Sequence, residues 1–65
     1  MHVVLNGDAT PLEGVRTVAD LLQQLRVEGR IAVEINGEIV PRSRFTDHPV
    51  NDGDQIELVC AIGGG

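Results

Sequence analysis

The last fourteen residues read DGDQIELVCAIGGG, Asp52 to Gly65, and their pattern decides the fold. Asp52-Gly53-Asp54 is turn chemistry, with glycine free to take a positive φ. Gln55 to Ile62 then alternates. Ile56, Leu58, Cys60 and Ile62 share one face of an extended strand, and Glu57, Val59 and Ala61 share the other. The strand runs directly into Gly63, Gly64 and Gly65. Three glycines contribute no side chain, charge or packing. They contribute free backbone and, at the end, an α-carboxylate. The predicted organisation is one domain over residues 1–62, followed by a flexible glycine tail at 63–65.

Working back from that strand, IAVEINGEIVPR (residues 31–42) reads as a hairpin. Ile31, Val33 and Ile35 alternate with Ala32 and Glu34, and Asn36-Gly37 is among the strongest two-residue hairpin turns. Pro41 ends the returning strand. SRFTDHPV, residues 43–50, reads as irregular with room for one helical turn. At the other end, HVVLNGDATPLEG (residues 2–14) is a second hairpin turning at Asn6-Gly7-Asp8. Its returning strand, roughly Ala9 to Glu13, carries Pro11, which lacks an N–H and suits a sheet edge.

Between the hairpins lies one helix, predicted over TVADLLQQLRVEG, residues 17–29. Val18, Leu21, Leu22 and Leu25 fall at i, i+3, i+4 and i+7, a single apolar stripe. Thr17 is the N-cap, with Asp20 in the capping-box position. Gly29 is the expected C-terminal stop. The order is β-β-α-β-β-β, with a loop before the last strand. One apolar helix face needs one sheet to cover it, so the expected class is α+β, a mixed sheet of about four to five strands on one main helix. First and last strands paired at the sheet centre would be parallel, leaving the tail free beyond the sheet.

Composition narrows the function. A chain of 65 residues buries only about 60% of its unfolded surface, so little remains to line a deep catalytic pocket. The five basic residues are all arginines, the net charge is −5, and Phe45 is the only aromatic residue. That is neither the electrostatic footprint nor the stacking platform of a nucleic-acid binder. It suits docking on a basic protein surface. No apolar run approaches the roughly 20 residues needed to cross a bilayer, and the start has no signal-peptide pattern. Cys60 stands alone, so no intramolecular disulfide forms, and a cytoplasmic location is expected. Its phase with Ile56 and Leu58 predicts a buried, inert thiol. His2 and His48 lack nearby acidic or cysteine companions, and no metal site is expected.

Hairpin, helix, hairpin, loop, strand and terminal Gly-Gly resemble the ubiquitin-like β-grasp layout. Within it, INGEIVPR (35–42), DGDQIEL (52–58), the length and the GGG end closely resemble the bacterial ThiS family of sulfur carriers in thiamine biosynthesis. The resemblance covers the whole chain. It implies a protein co-substrate rather than an enzyme. A ThiF-like adenylating enzyme activates the terminal carboxylate with ATP. Sulfur from a cysteine desulfurase persulfide then replaces AMP to give a thiocarboxylate. A ThiG-like thiazole synthase consumes that sulfur. Gly65 then carries the reacting group, preceded by Gly64 and Gly63. Read from the residues themselves, Val59, Ala61 and Ile62 form the strand end that must enter the partner's site and are expected to dock there; the alternative for Val59 and Ala61 is ordinary strand residues facing a sheet surface.

The tail suits that chemistry. A free α-carboxyl titrates at roughly 3.3–3.7 and is ionised at neutral pH. It can attack the α-phosphate of ATP, but it is a poor acyl donor until adenylated. ATP and its metal are expected in the partner, because this chain has no phosphate-cradling motif and binds no cofactor of its own. Three glycines reach at most about 10–11 Å and can thread a narrow channel. Alternatives from the same fold are a molybdopterin-type sulfur carrier, a ubiquitin-like protein modifier and a β-grasp interaction module whose tail is idle.

Overall fold

The computed structural model describes residues 1–60. The chain forms β1 (His2–Leu5), β2 (Asp8–Pro11), α1 (Val18–Gln24), β3 (Ile31–Ile35), β4 (Glu38–Val40), a 3₁₀ turn (Arg42–Arg44) and β5 (Gln55–Cys60). The five strands make one sheet in the order β2-β1-β5-β3-β4. β1 and β5 pair in parallel at the centre, and every other neighbouring pair is antiparallel. The α+β class and the central parallel pair are therefore as the sequence predicts. β2, with Pro11, takes one edge of the sheet.

Both hairpins close through Asn-Gly. Asn6 and Gly7 have φ of 48° and 87°, and Asn36 and Gly37 have 52° and 86°. Two consecutive positive φ values are the twist-matched turn that joins antiparallel strands with two residues. The registers follow, with Leu5 opposite Asp8 and Ile35 opposite Glu38.

The helix buries Val18, Leu21 and Leu22 against Val3, Val33, Ile35, Val40 and Ile56 of the sheet. Its start is fully capped. Asp20 N–H donates to Thr17 Oγ1 at 3.3 Å, and Thr17 N–H donates to Asp20 Oδ2 at 3.2 Å. Val18 and Ala19 donate to the carbonyls of His48 (3.0 Å) and Phe45 (2.7 Å). The irregular 42–50 segment is thus pinned to the helix N-terminus, and its Val50 enters the core at 3% exposure.

The helix stops earlier than its sequence suggests. Arg26 takes φ of 56°, its N–H donates to Gln23 O (3.1 Å), and Val27 N–H donates to Leu22 O (3.0 Å). This pair of bonds is a Schellman cap with arginine where glycine is usual. It turns Val27 back onto the core, and that burial offsets the cost of a left-handed arginine. Gly29, at φ of 92°, serves the next turn instead of the helix end. Leu12, beyond the end of β2, is 2% exposed and acts as a core residue from a loop.

Candidate functional site

The candidate site is the C-terminal end of β5 and the sheet face around it. Ala61, Ile62, Gly63, Gly64 and Gly65 lie outside the described residues; Gln55 to Cys60 lead to them. β5 is held on one side by β3, from Ile35 opposite Ile56 to Ile31 opposite Cys60. On the other side β1 pairs only with its first residues, Val4 with Gln55 and Leu5 with Ile56.

Burial declines steadily along β5. Ile56 is 1% exposed, Leu58 is half-buried and Cys60 is exposed. The alternation predicts the right face for Cys60, but the buried thiol does not hold. A helix of seven residues covers about 10 Å, whereas six strand residues span about 20 Å. Cys60 lies opposite Ile31, itself only half-buried, so the end of β5 has little cover.

The sheet face turned away from the helix carries Val59 at 64% exposure and Ile39 at 68%. Val59 sits directly across from exposed Ala32. Arg30, Ile31, Ala32, Arg42 and Val59 line a shallow hollow beside the strand end. Two residues earlier, Glu57 lies directly opposite Glu34. Like charges across a ladder destabilise a sheet slightly unless a cation is near. Among the described residues the ion pair is Arg44–Asp47 at 2.8 Å, exposed at both ends and far along the chain from these glutamates. The face thus offers apolar contact, two arginines and a facing carboxylate pair within one strand length. Of the residues expected to meet a partner, Val59 is the one within the described residues, and it is accessible.

The other residues singled out in the sequence go elsewhere. Asp52 accepts from His2 N–H at 2.7 Å, and Asp54, 8% exposed, accepts from Asn36 Nδ2 (3.0 Å) and Asn51 N–H (2.8 Å). Asp54 closes the turn that precedes β5, and Asp52 ties that turn to the start of β1. His48 Nδ1 lies 3.0 Å from Pro49 O. Among the described residues no cluster of three or more His, Cys, Asp or Glu could hold a metal, and no helix is long and apolar enough to cross a membrane.

Sequence reasoning missed one pair of contacts at this site. Asn6 reaches Leu58 across 52 residues of chain: Leu58 N–H donates to Asn6 Oδ1 at 2.8 Å, and Asn6 Nδ2 donates to Leu58 O at 3.4 Å. A turn asparagine is explained by its φ alone, so nothing local announces the second role.

Known proteins show the same architecture. The ThiS family model matches residues 3–65. The chain is 41% identical to the sulfur carrier protein ThiS of Escherichia coli over 66 residues, covering 100% of both chains. It is 39% identical to the Thermus thermophilus sulfur carrier protein ThiS over 64 residues, covering 97% of this chain and 98% of that one. A thiazole synthase of Paramagnetospirillum magneticum is 47% identical over 66 residues, and this chain spans 20% of its length. The crystal structure of the thiamine biosynthesis protein ThiS of Geobacter metallireducens superposes with a TM-score of 0.83 at 35% identity, with both chains fully covered. Shared sequence over the full length, the same β-grasp fold and a match that runs through the three glycines have one conclusion: the chain belongs to the ThiS family.

Proposed function

We propose that this protein is a sulfur carrier of thiamine biosynthesis whose reacting group is the Gly65 carboxylate. A ThiF-like enzyme supplies ATP and metal. The carboxylate oxygen attacks the α-phosphorus, pyrophosphate leaves, and the acyl adenylate becomes open to a sulfur nucleophile. The outer sulfur of a protein persulfide, loaded by a cysteine desulfurase, attacks the acyl carbon and displaces AMP to give an acyl disulfide. A second thiol on the partner attacks the inner sulfur, forms a partner disulfide and releases the thiocarboxylate. The resulting thiocarboxylate supplies sulfur to a ThiG-like thiazole synthase. The chain itself is a co-substrate and performs no turnover alone.

The observation that carries this reading is the family match through residue 65, which takes in all three glycines. The thiazole synthase relative supports the identity of the acceptor, because a segment like this chain is joined to that protein. The exposed Val59 face supports docking beside the strand that leads to the tail. Ordering each tail residue in a partner channel costs about 1–2 kcal/mol of backbone entropy. Apolar contact at Val59, Ala61 and Ile62 offsets it.

The test uses the purified chain with its adenylating enzyme. Gly64→Val adds a Cβ and two methyls where the tail must thread, and it abolishes adenylation while the far-ultraviolet spectrum stays unchanged. Removal of Gly65 abolishes sulfur transfer. Normal adenylation of Gly64→Val, or thiazole formation without Gly65, would refute the assignment.

A further inference from the structure

We infer that Asn6 is a positioning residue for the reacting terminus, an inference that rests on the sulfur-carrier reading above. β1 leaves the sheet at the Asn6-Gly7 turn, while β5 continues to Cys60. The last backbone bond between them runs from Asn6 N–H to Ile56 O at 2.8 Å. Beyond it, a further strand residue would be needed to satisfy Leu58 on that side. The Asn6 carboxamide takes that place. It accepts from Leu58 N–H and donates to Leu58 O, as a peptide unit of a longer β1 would. The side chain thus extends the parallel ladder toward the tail by one step.

Asn36 provides the internal control. It occupies the same turn position, with φ of 52° against 48° for Asn6, and also grips β5. Its grip is at the start of the strand: Gln55 N–H donates to Asn36 Oδ1 at 2.9 Å, and Asn36 Nδ2 donates to buried Asp54 at 3.0 Å. The Asn6 bonds are exposed, and water replaces them at little cost to the fold. Water does not fix direction. Without Asn6, the Leu58–Cys60 stretch is held by β3 alone and behaves as an edge strand. The path from Leu58 to Gly65 is seven residues, about 23–25 Å at full extension. A looser root therefore spreads the position of the carboxylate.

The experiment compares Asn6→Gly, Asn6→Asp and Asn36→Gly with the unaltered chain in steady-state adenylation. Glycine keeps the left-handed turn in both places and removes only the amide. Asn6→Gly raises KM about fivefold with kcat within about twofold, and amide exchange at Leu58 accelerates while exchange at Val33 does not. Asn6→Asp, which keeps an acceptor for Leu58 N–H, recovers most of the KM. Asn36→Gly lowers the melting temperature and leaves KM unchanged below it. Turnover of the unaltered chain with an unchanged KM for Asn6→Gly, or an equal KM rise in Asn36→Gly, would overturn the role of Asn6 alone. No turnover of the unaltered chain by an adenylating enzyme active on another carrier would overturn the carrier reading itself.

Discussion

The two ends of β5 are built for different work. At its start, Asp54 and Ile56 are buried at 8% and 1% exposure. Backbone bonds tie this end to both neighbours, from Val4 N–H to Asp54 O (2.9 Å) and from Asn36 N–H to Gln55 O (2.8 Å). At its finish, Val59 is 64% exposed, Cys60 is exposed, and one asparagine side chain stands in for the missing β1 neighbour. One strand thus anchors the core at its start and leaves apolar surface accessible at its finish. In a small domain with a marginal core, this separation keeps the exposed apolar surface apart from the residues that hold the fold.

Ile56→Ala would break the comparison most forcefully at the buried end. Truncating a fully buried isoleucine costs about 2–5 kcal/mol, much of the 5–15 kcal/mol typical of a whole domain. Urea denaturation is expected to show a strongly lowered midpoint. Asp54→Ala comes next. It strips the acceptor from Asn36 Nδ2 and Asn51 N–H, and a loss of about 1–3 kcal/mol is expected in the same measurement. At the exposed end, Val59→Ser shifts stability by less than about 0.5 kcal/mol. On the proposed carrier role, it is nevertheless expected to weaken binding to the adenylating enzyme, readable by titration calorimetry. Equal stability losses for Val59→Ser and Ile56→Ala would erase the distinction between the two ends.

The smallest effect lies away from β5, at the helix cap. The N–H of Arg16 (3.0 Å), followed by that of Thr17 (3.2 Å), holds the Asp20 carboxyl below its ordinary value of 3.8. The folded state therefore takes up this proton less readily than the unfolded chain. The contribution to stability is present above the unfolded value of about 3.9 and is lost as pH falls through the lower folded value. Asp20→Asn is expected to flatten the acid limb of the stability profile slightly and to leave the profile above pH 5 parallel to the parent.

Much of this architecture is legible in the sequence because its determinants are local. Asn-Gly at 6–7 and 36–37 dictates both hairpins through positive φ, and Thr17 with Asp20 marks the helix start. The helix end is not legible, because an arginine in the left-handed region is tolerated only where Val27 gains burial. Alternation assigns Cys60 to the correct face but says nothing of how far the helix extends over it. Leu12, Val15 and Val50 join the core from loops, where no periodicity marks them. The Leu58 clamp is invisible because its partner lies 52 residues away. For the site itself, Val59 is exposed at 64%, while Ala61 to Gly65 lie outside the described residues.

On the proposed function, the terminal carboxyl carries sulfur. The most direct test of that role is the intact mass of the chain before and after incubation with ATP, a sulfur donor and the cognate adenylating enzyme. A gain equal to sulfur replacing one oxygen, mapped by fragmentation to Gly65, is the predicted result. An unchanged mass, with the same enzyme shown to convert another carrier, would contradict it.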